Sequence, residues 1–176
     1  MIERIDPEEA YGRYLFRELS SEEMRTLADA WLNQGKFTES LNQLCWLKEP
    51  DLFDAERLFK KSLQELEIKP PSRLEAAHLL IRITLQRIVQ SQSAPEEGAE
   101  FLYFIVHSQV SEDHPDEKYL GDSLGLEYLF SWLRELWDCR DGSIILHYTD
   151  LPRSEAELKF KQHLFEASQT WLREHV

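Results

Sequence analysis

Long uncharged runs are missing from this chain of 176 residues. The longest, 101–111, is too short to cross a bilayer, which takes about 20 apolar residues. The first twenty residues, MIERIDPEEAYGRYLFRELS, lack a basic start followed by an apolar stretch, so no secretory signal is expected and the chain reads as soluble and cytoplasmic. Cysteine is scarce. Cys45 and Cys139 stand far apart with no C-x-x-C, which removes the motif for a metal knuckle or thiol exchange and predicts free, buried thiols. The six glycines are scattered, and neither G-K-[ST] nor G-x-G-x-x-G occurs, so no phosphate-cradling loop and no cofactor are expected. Basic side chains are outnumbered, 20 against 33 acids, giving a net charge of −13. Nucleic-acid binding depends on lysine and arginine neutralising phosphates, so this balance argues against such a partner.

What is present is enough to build a core. Hydrophobic residues make up 42% of the chain and aromatics 11%. A chain of this length removes about 70% of its unfolded surface from water on folding, which supports one domain spanning 1–176. The acidity is concentrated. Residues 91–127 hold nine acids (Glu96, Glu97, Glu100, Glu112, Asp113, Asp116, Glu117, Asp122 and Glu127) against the single base Lys118. A field of this kind attracts a basic partner or simply keeps the protein in solution.

Capping boxes punctuate the chain at Asp6/Glu9, Ser20/Glu23, Ser72/Glu75, Ser93/Glu96 and Ser154/Glu157. In each, the first side chain can accept from an N–H of the first turn while the glutamate reaches back to the cap N–H. Apolar residues then recur at three and four, predicting helices over about 7–19, 21–34, 38–47, 52–67, 73–90, 95–107, 122–138 and 155–174. Gly35 is placed to end the second, and Pro70-Pro71 to stop the fourth. Only 143–151, SIILHYTDL, looks extended, and a lone strand has nothing to pair with. The expected class is all-α, a bundle of roughly eight helices with at most this one extended connector or edge.

Three stretches invite a chemical reading. Gly121-Asp122-Ser123-Leu124-Gly125 fits the G-x-S-x-G nucleophile elbow, resembles the GDSL string of a family of serine esterases, and is followed in order by Asp150 and His163. An elbow needs a buried strand before it, and the polar SEDHPDEKYL stands there instead. Asp122 or Ser123 is therefore expected to cap the helix that follows. The second stretch, HSQVSEDHPDE, gathers His107, Asp113, His114, Asp116 and Glu117. Imidazole and carboxylate suit zinc or iron, so a helical metal-dependent hydrolase is one reading and a solvated loop the other. The third, YLFSWLRELWDCRD, puts Tyr128, Trp132 and Glu135 near one face of a helix. That helix is either the apolar centre of a bundle or, with Trp132 exposed beside the acids, part of a binding surface.

The segment 27–44 resembles one tetratricopeptide hairpin, unrepeated one period later, so an ordinary helix–turn–helix is expected. LADAWLNQGKFTESLNQLCWLKEPDLFDAERLFKKSLQELEI and AAHLLIRITLQRIVQSQSAPEEGAEFLYFIV, through Trp31, Gly35, Leu41, Pro95, Gly98 and Ala99, resemble small bacterial helical proteins of the toxin-immunity type over about residues 27–106. The resemblance implies a toxin-neutralising role and names no catalytic residue. The leading expectation is a non-catalytic acidic interaction module. Glu112, Asp113, Asp116, Glu117, Asp122 and Trp132 would meet a basic surface on a protein partner.

Overall fold

Helices supply all the regular structure in the computed structural model, which describes residues 5–110, 117–142, 144–146 and 148–175; no strand occurs among them. The chain divides into two compact units, Met1–Ala76 and Ala77–Val176, where composition and length lead one to expect one domain.

Unit 1 holds α1 (Pro7–Leu15), α2 (Ser21–Asn33), α3 (Glu39–Cys45) and α4 (Leu52–Glu65), with α2, α3 and α4 packed on one another. Met24, Leu27, Ala28 and Trp31 form the apolar stripe of α2 and are buried, as the spacing of three and four requires. Trp31 is the centrepiece. Its ring stacks on Phe59 at 6.0 Å and its Nε1 donates to Ile5 O at 2.8 Å, so the indole is buried without an unmet donor. Gly35, at φ +81°, turns the chain from α2 to α3 as an ordinary helix–turn–helix. Of the expected boxes, Ser20/Glu23 forms in full, with Glu23 N–H donating to Ser20 Oγ and Ser20 N–H to Glu23 Oε2. Ser20→Ala is expected to cost about 1 kcal/mol, read as a lower denaturant midpoint. Ser72/Glu75 also forms, and Asp6 accepts from Glu9 N–H at 2.8 Å. α4 ends earlier than Pro70-Pro71 would dictate: Glu67 takes φ +60° and Ile68 N–H closes back on Leu63 O. The Cys45 thiol, only half-buried, is pushed up by burial and by Asp29 beside it.

α5 (Arg73–Val89) leads into unit 2, which contains α6 (Pro95–Phe101), a π segment (Leu102–His107), α7 (Ser108–Val110), a 3-10 turn (Asp122–Leu124), α8 (Glu127–Asp141) and α9 (Arg153–Glu174). α8 and α9 pack along each other and α6 lies against both. The two remaining boxes do not form. α6 is capped by Ala94 without a side-chain bond, leaving Ser93 Oγ buried and unpartnered. α9 begins at Arg153 behind Pro152, two residues too early for Ser154 to serve as its cap. Glu96 and Glu157 instead share Arg140 and Lys161, at 2.9 to 3.2 Å, joining α6, α8 and α9. The expected helix from 122 starts only at Glu127, because Gly121 (φ +87°) and Gly125 (φ +68°) set Asp122–Leu124 apart as a separate tight turn. Neither Asp122 nor Ser123 caps α8. After α8 the described residues of 143–151 form an irregular connector, and Arg153 donates to Asp138 O, Cys139 O and Ile144 O, covering carbonyls at the α8 C-terminus. No helix among the described residues is long and apolar enough to cross a membrane.

Candidate functional site: a cavity between the turn, α8 and α9

The 3-10 turn owes its position to Glu117. This carboxylate accepts from Gly121 N–H at 3.2 Å, from Ser123 N–H at 3.1 Å and from Ser123 Oγ, while His107 Nε2 donates to its other side at 2.8 Å. Burial by itself would raise the Glu117 carboxyl. The bonds from Ser123, His107 and the two backbone N–H groups outweigh it and hold the group down at about 2. His107 closes the π segment, is 5% exposed, and sets its ring edge-on to Phe130 at 5.3 Å. π segments are rare and recur where a helix must redirect a side chain for function. The same segment carries Tyr103, whose ring meets Phe130 and Trp137 at 5.1 and 5.2 Å.

With the turn fixed, Leu124 O accepts from Trp171 Nε1 of α9 at 2.9 Å. Gly125 lies under His175: a Cβ there would stand 2.9 Å from His175 Nε2, so the glycine is what lets the ring sit down. The result is a cavity of about 410 Å³ walled by the turn, α8 and α9, with Leu85 from α5. Four carboxylates line it: Asp122 from the turn, Glu127 from the first turn of α8, and Glu166 and Glu174 from α9. No lysine or arginine among the described residues does. One oxygen of Glu127 is buried without a hydrogen-bond partner. A buried acceptor in that state is costly, and an arriving donor would relieve the cost.

Two indoles line the wall beside Tyr128, each covered by an imidazole. Trp132 stacks on His163 at 4.3 Å and on Phe160 at 6.0 Å; Trp171 stacks on His175 at 4.3 Å with the rings 7° from parallel. His163 Nδ1 donates to Glu166 Oε2 at 3.1 Å, and His175 Nδ1 to Trp171 O at 3.0 Å. The bonds from Gln162 and His163 hold the Glu166 carboxyl below its usual range.

Of the residues expected to meet a partner, Asp122 and Trp132 come together in this cavity. Trp132 is half-buried rather than presented flat to solvent. Glu117 is turned inward as the clamp just described, and Glu112, Asp113 and Asp116 lie outside the described residues, as does His114. The acidic stretch 91–127 is therefore not one continuous field. Glu96 is consumed in the network with Arg140 and Lys161, and Glu100 accepts from Trp137 Nε1 at 3.1 Å. Ser123 faces a carboxylate and not an imidazole base, and its turn follows no strand among the described residues, so the elbow geometry is absent there. For the hydrolase reading, His107 has its Nε2 engaged by Glu117, and no three histidine, cysteine or acidic side chains converge as metal ligands among the described residues.

Spacing along 91–138 does not reveal Tyr128, His163, Glu166, Trp171, Glu174 and His175 as neighbours of Asp122. A signal existed on α9, where 163, 166, 170, 171 and 174 recur at helical spacing as one polar and aromatic face. Comparison with family models, curated proteins and solved structures finds no match to this chain.

Proposed function

We propose that this chain is a non-catalytic, acidic helical interaction module that binds a basic surface on a protein partner. A toxin-neutralising immunity protein facing a nuclease would be one instance, because enzymes that act on nucleic acid present basic clefts. The observation that carries the reading is the cavity wall, with Asp122, Glu127, Glu166 and Glu174 and, among the described residues, no lysine or arginine beside them. Four carboxylates around one cavity repel an anion and attract a guanidinium or ammonium group, and attraction of this kind acts mainly on encounter rate and specificity. The edge of Trp132, beside the His163 and Phe160 rings stacked on it, would border the apolar stem of the incoming side chain. Glu112, Asp113 and Asp116, outside the described residues, would add to the negative charge offered to the partner, and Glu117 would act indirectly by holding the turn.

Joint replacement of Asp122 by Asn and of Glu127, Glu166 and Glu174 by Gln tests this. At low ionic strength the variant is expected to bind an oligo-arginine peptide at least about tenfold more weakly than the natural chain, and with a shallower salt dependence. Equal binding by both proteins would remove the cavity from the reading.

A further inference from the structure

We propose that the cavity carries its own counter-cations: protonation of His163 and His175 cancels two of its four negative charges and weakens its hold on the basic group it otherwise accepts. The inference rests on the reading of the cavity as a site for a basic partner and adds its regulation. Each imidazole lies flat on an indole at 4.3 Å, the arrangement in which an imidazolium gains attraction from the ring face. Each also has a fixed acceptor for Nδ1–H, Glu166 Oε2 for His163 and Trp171 O for His175. Gly125, a glycine by its φ of +68°, leaves room for the His175 ring above the turn. Because Trp132 has His163 on one side and Phe160 stacked as well, a guanidinium entering the cavity meets the carboxylates and the imidazoles, not an open indole face.

The charged groups that line the cavity with the two histidines are, among the described residues, of one sign. The turn contributes Asp122, α8 contributes Glu127 and the phenol of Tyr128, α9 contributes Glu166 and Glu174, and α5 adds only the apolar Leu85. Glu166 accepts from His163, the other three carboxylates line the same cavity, and each proton taken up by a ring cancels one negative charge offered to a partner. Histidine ordinarily changes charge between about pH 5 and 8, while carboxylates in that range stay ionised. Proton and basic ligand thus compete, and by linkage a bound cation must in turn make the histidines harder to protonate.

The test is the affinity of the full chain for an oligo-arginine peptide from about pH 8 to about pH 5.5, the span over which histidine ordinarily gains its proton. Two added charges a few ångström from the ligand are expected to weaken binding about tenfold across that range. The double variant His163→Gln/His175→Gln is expected to be flat within about twofold, and each single variant to lose part of the slope. Tryptophan emission reports the same event without any ligand. An imidazolium stacked on indole quenches it, so acidification should dim the natural chain more than the double variant. A pH slope that survives in the double variant, with binding intact at pH 8, overturns this proposal alone. Absence of peptide binding at every pH overturns the basic-partner reading and this regulation with it.

Discussion

Replacing Glu117 by alanine is expected to destabilise unit 2 by about 3 kcal/mol, because it strands the donors of a buried and charged acceptor at one stroke. His107 Nε2, Gly121 N–H, Ser123 N–H and Ser123 Oγ all point at this carboxylate, and the side chain is only 11% exposed. Glu117→Gln is a milder test. It keeps one acceptor oxygen but removes the charge that strengthens every bond, and about 2 kcal/mol is expected. The pH dependence has a definite sign. The carboxyl is held at about 2 in the folded chain, below its ordinary 4.5. Its contribution is therefore complete above 4.5, fades as the pH falls toward 2, and is gone below that. Equilibrium unfolding measured across that window should show the natural chain losing stability with acid more steeply than Glu117→Gln. Parallel curves would mean that the clamp contributes nothing.

Gly121→Ala is expected to be comparably damaging, by about 3 kcal/mol, from two causes that add. The residue sits at φ +87°, where a Cβ costs about 1 kcal/mol or more. The added carbon would also stand 2.5 Å from Phe130 Cδ2, inside the wall of the core, and overpacking of this kind costs about 1 to 3 kcal/mol. Phe130 is buried between the His107 ring and Tyr103, so it has little room to withdraw. Because Gly121 starts the turn that supplies Asp122 and Gly125, the variant should lose oligo-arginine affinity along with stability. Gly35→Ala separates the two causes, since that glycine is at φ +81° with nothing within 4 Å of a new Cβ, and only the backbone cost should remain. Equal losses at the two positions would show that contact with Phe130 is unimportant.

The helices were legible because their signals are local. Asp6, Ser20 and Ser72 cap where spacing predicts, and the stripe through Leu27 and Trp31 is buried as expected. Ser93 and Ser154 mislead for a physical reason. Ala94 and Pro152 take the cap positions, and Glu96 and Glu157 gain more from Arg140 and Lys161 on neighbouring helices than from a cap N–H. The ends at Arg17, Glu67 and Ser91 carry no glycine although each adopts positive φ, so no sequence signal announced them. The site was legible only in half. Asp122 and Trp132, singled out by charge and aromatic placement, line the candidate cavity, but their companions lie on α9, which tertiary packing alone brings alongside. Glu117 shows the limit of counting charge. Nine acids in a row of 37 residues read as one surface, yet hydrogen bonding turns this one inward, and ion pairing neutralises Glu96.

The central claim is that carboxylates of the cavity meet a basic protein surface. Its most direct test is affinity capture from an extract of the encoding organism at low ionic strength, with the natural chain and the Asp122→Asn/Glu127→Gln/Glu166→Gln/Glu174→Gln variant run side by side. The account predicts one basic protein retained by the natural chain, released by raised salt, and lost from the variant. A partner held equally by both proteins, or held undiminished at high salt, would contradict it.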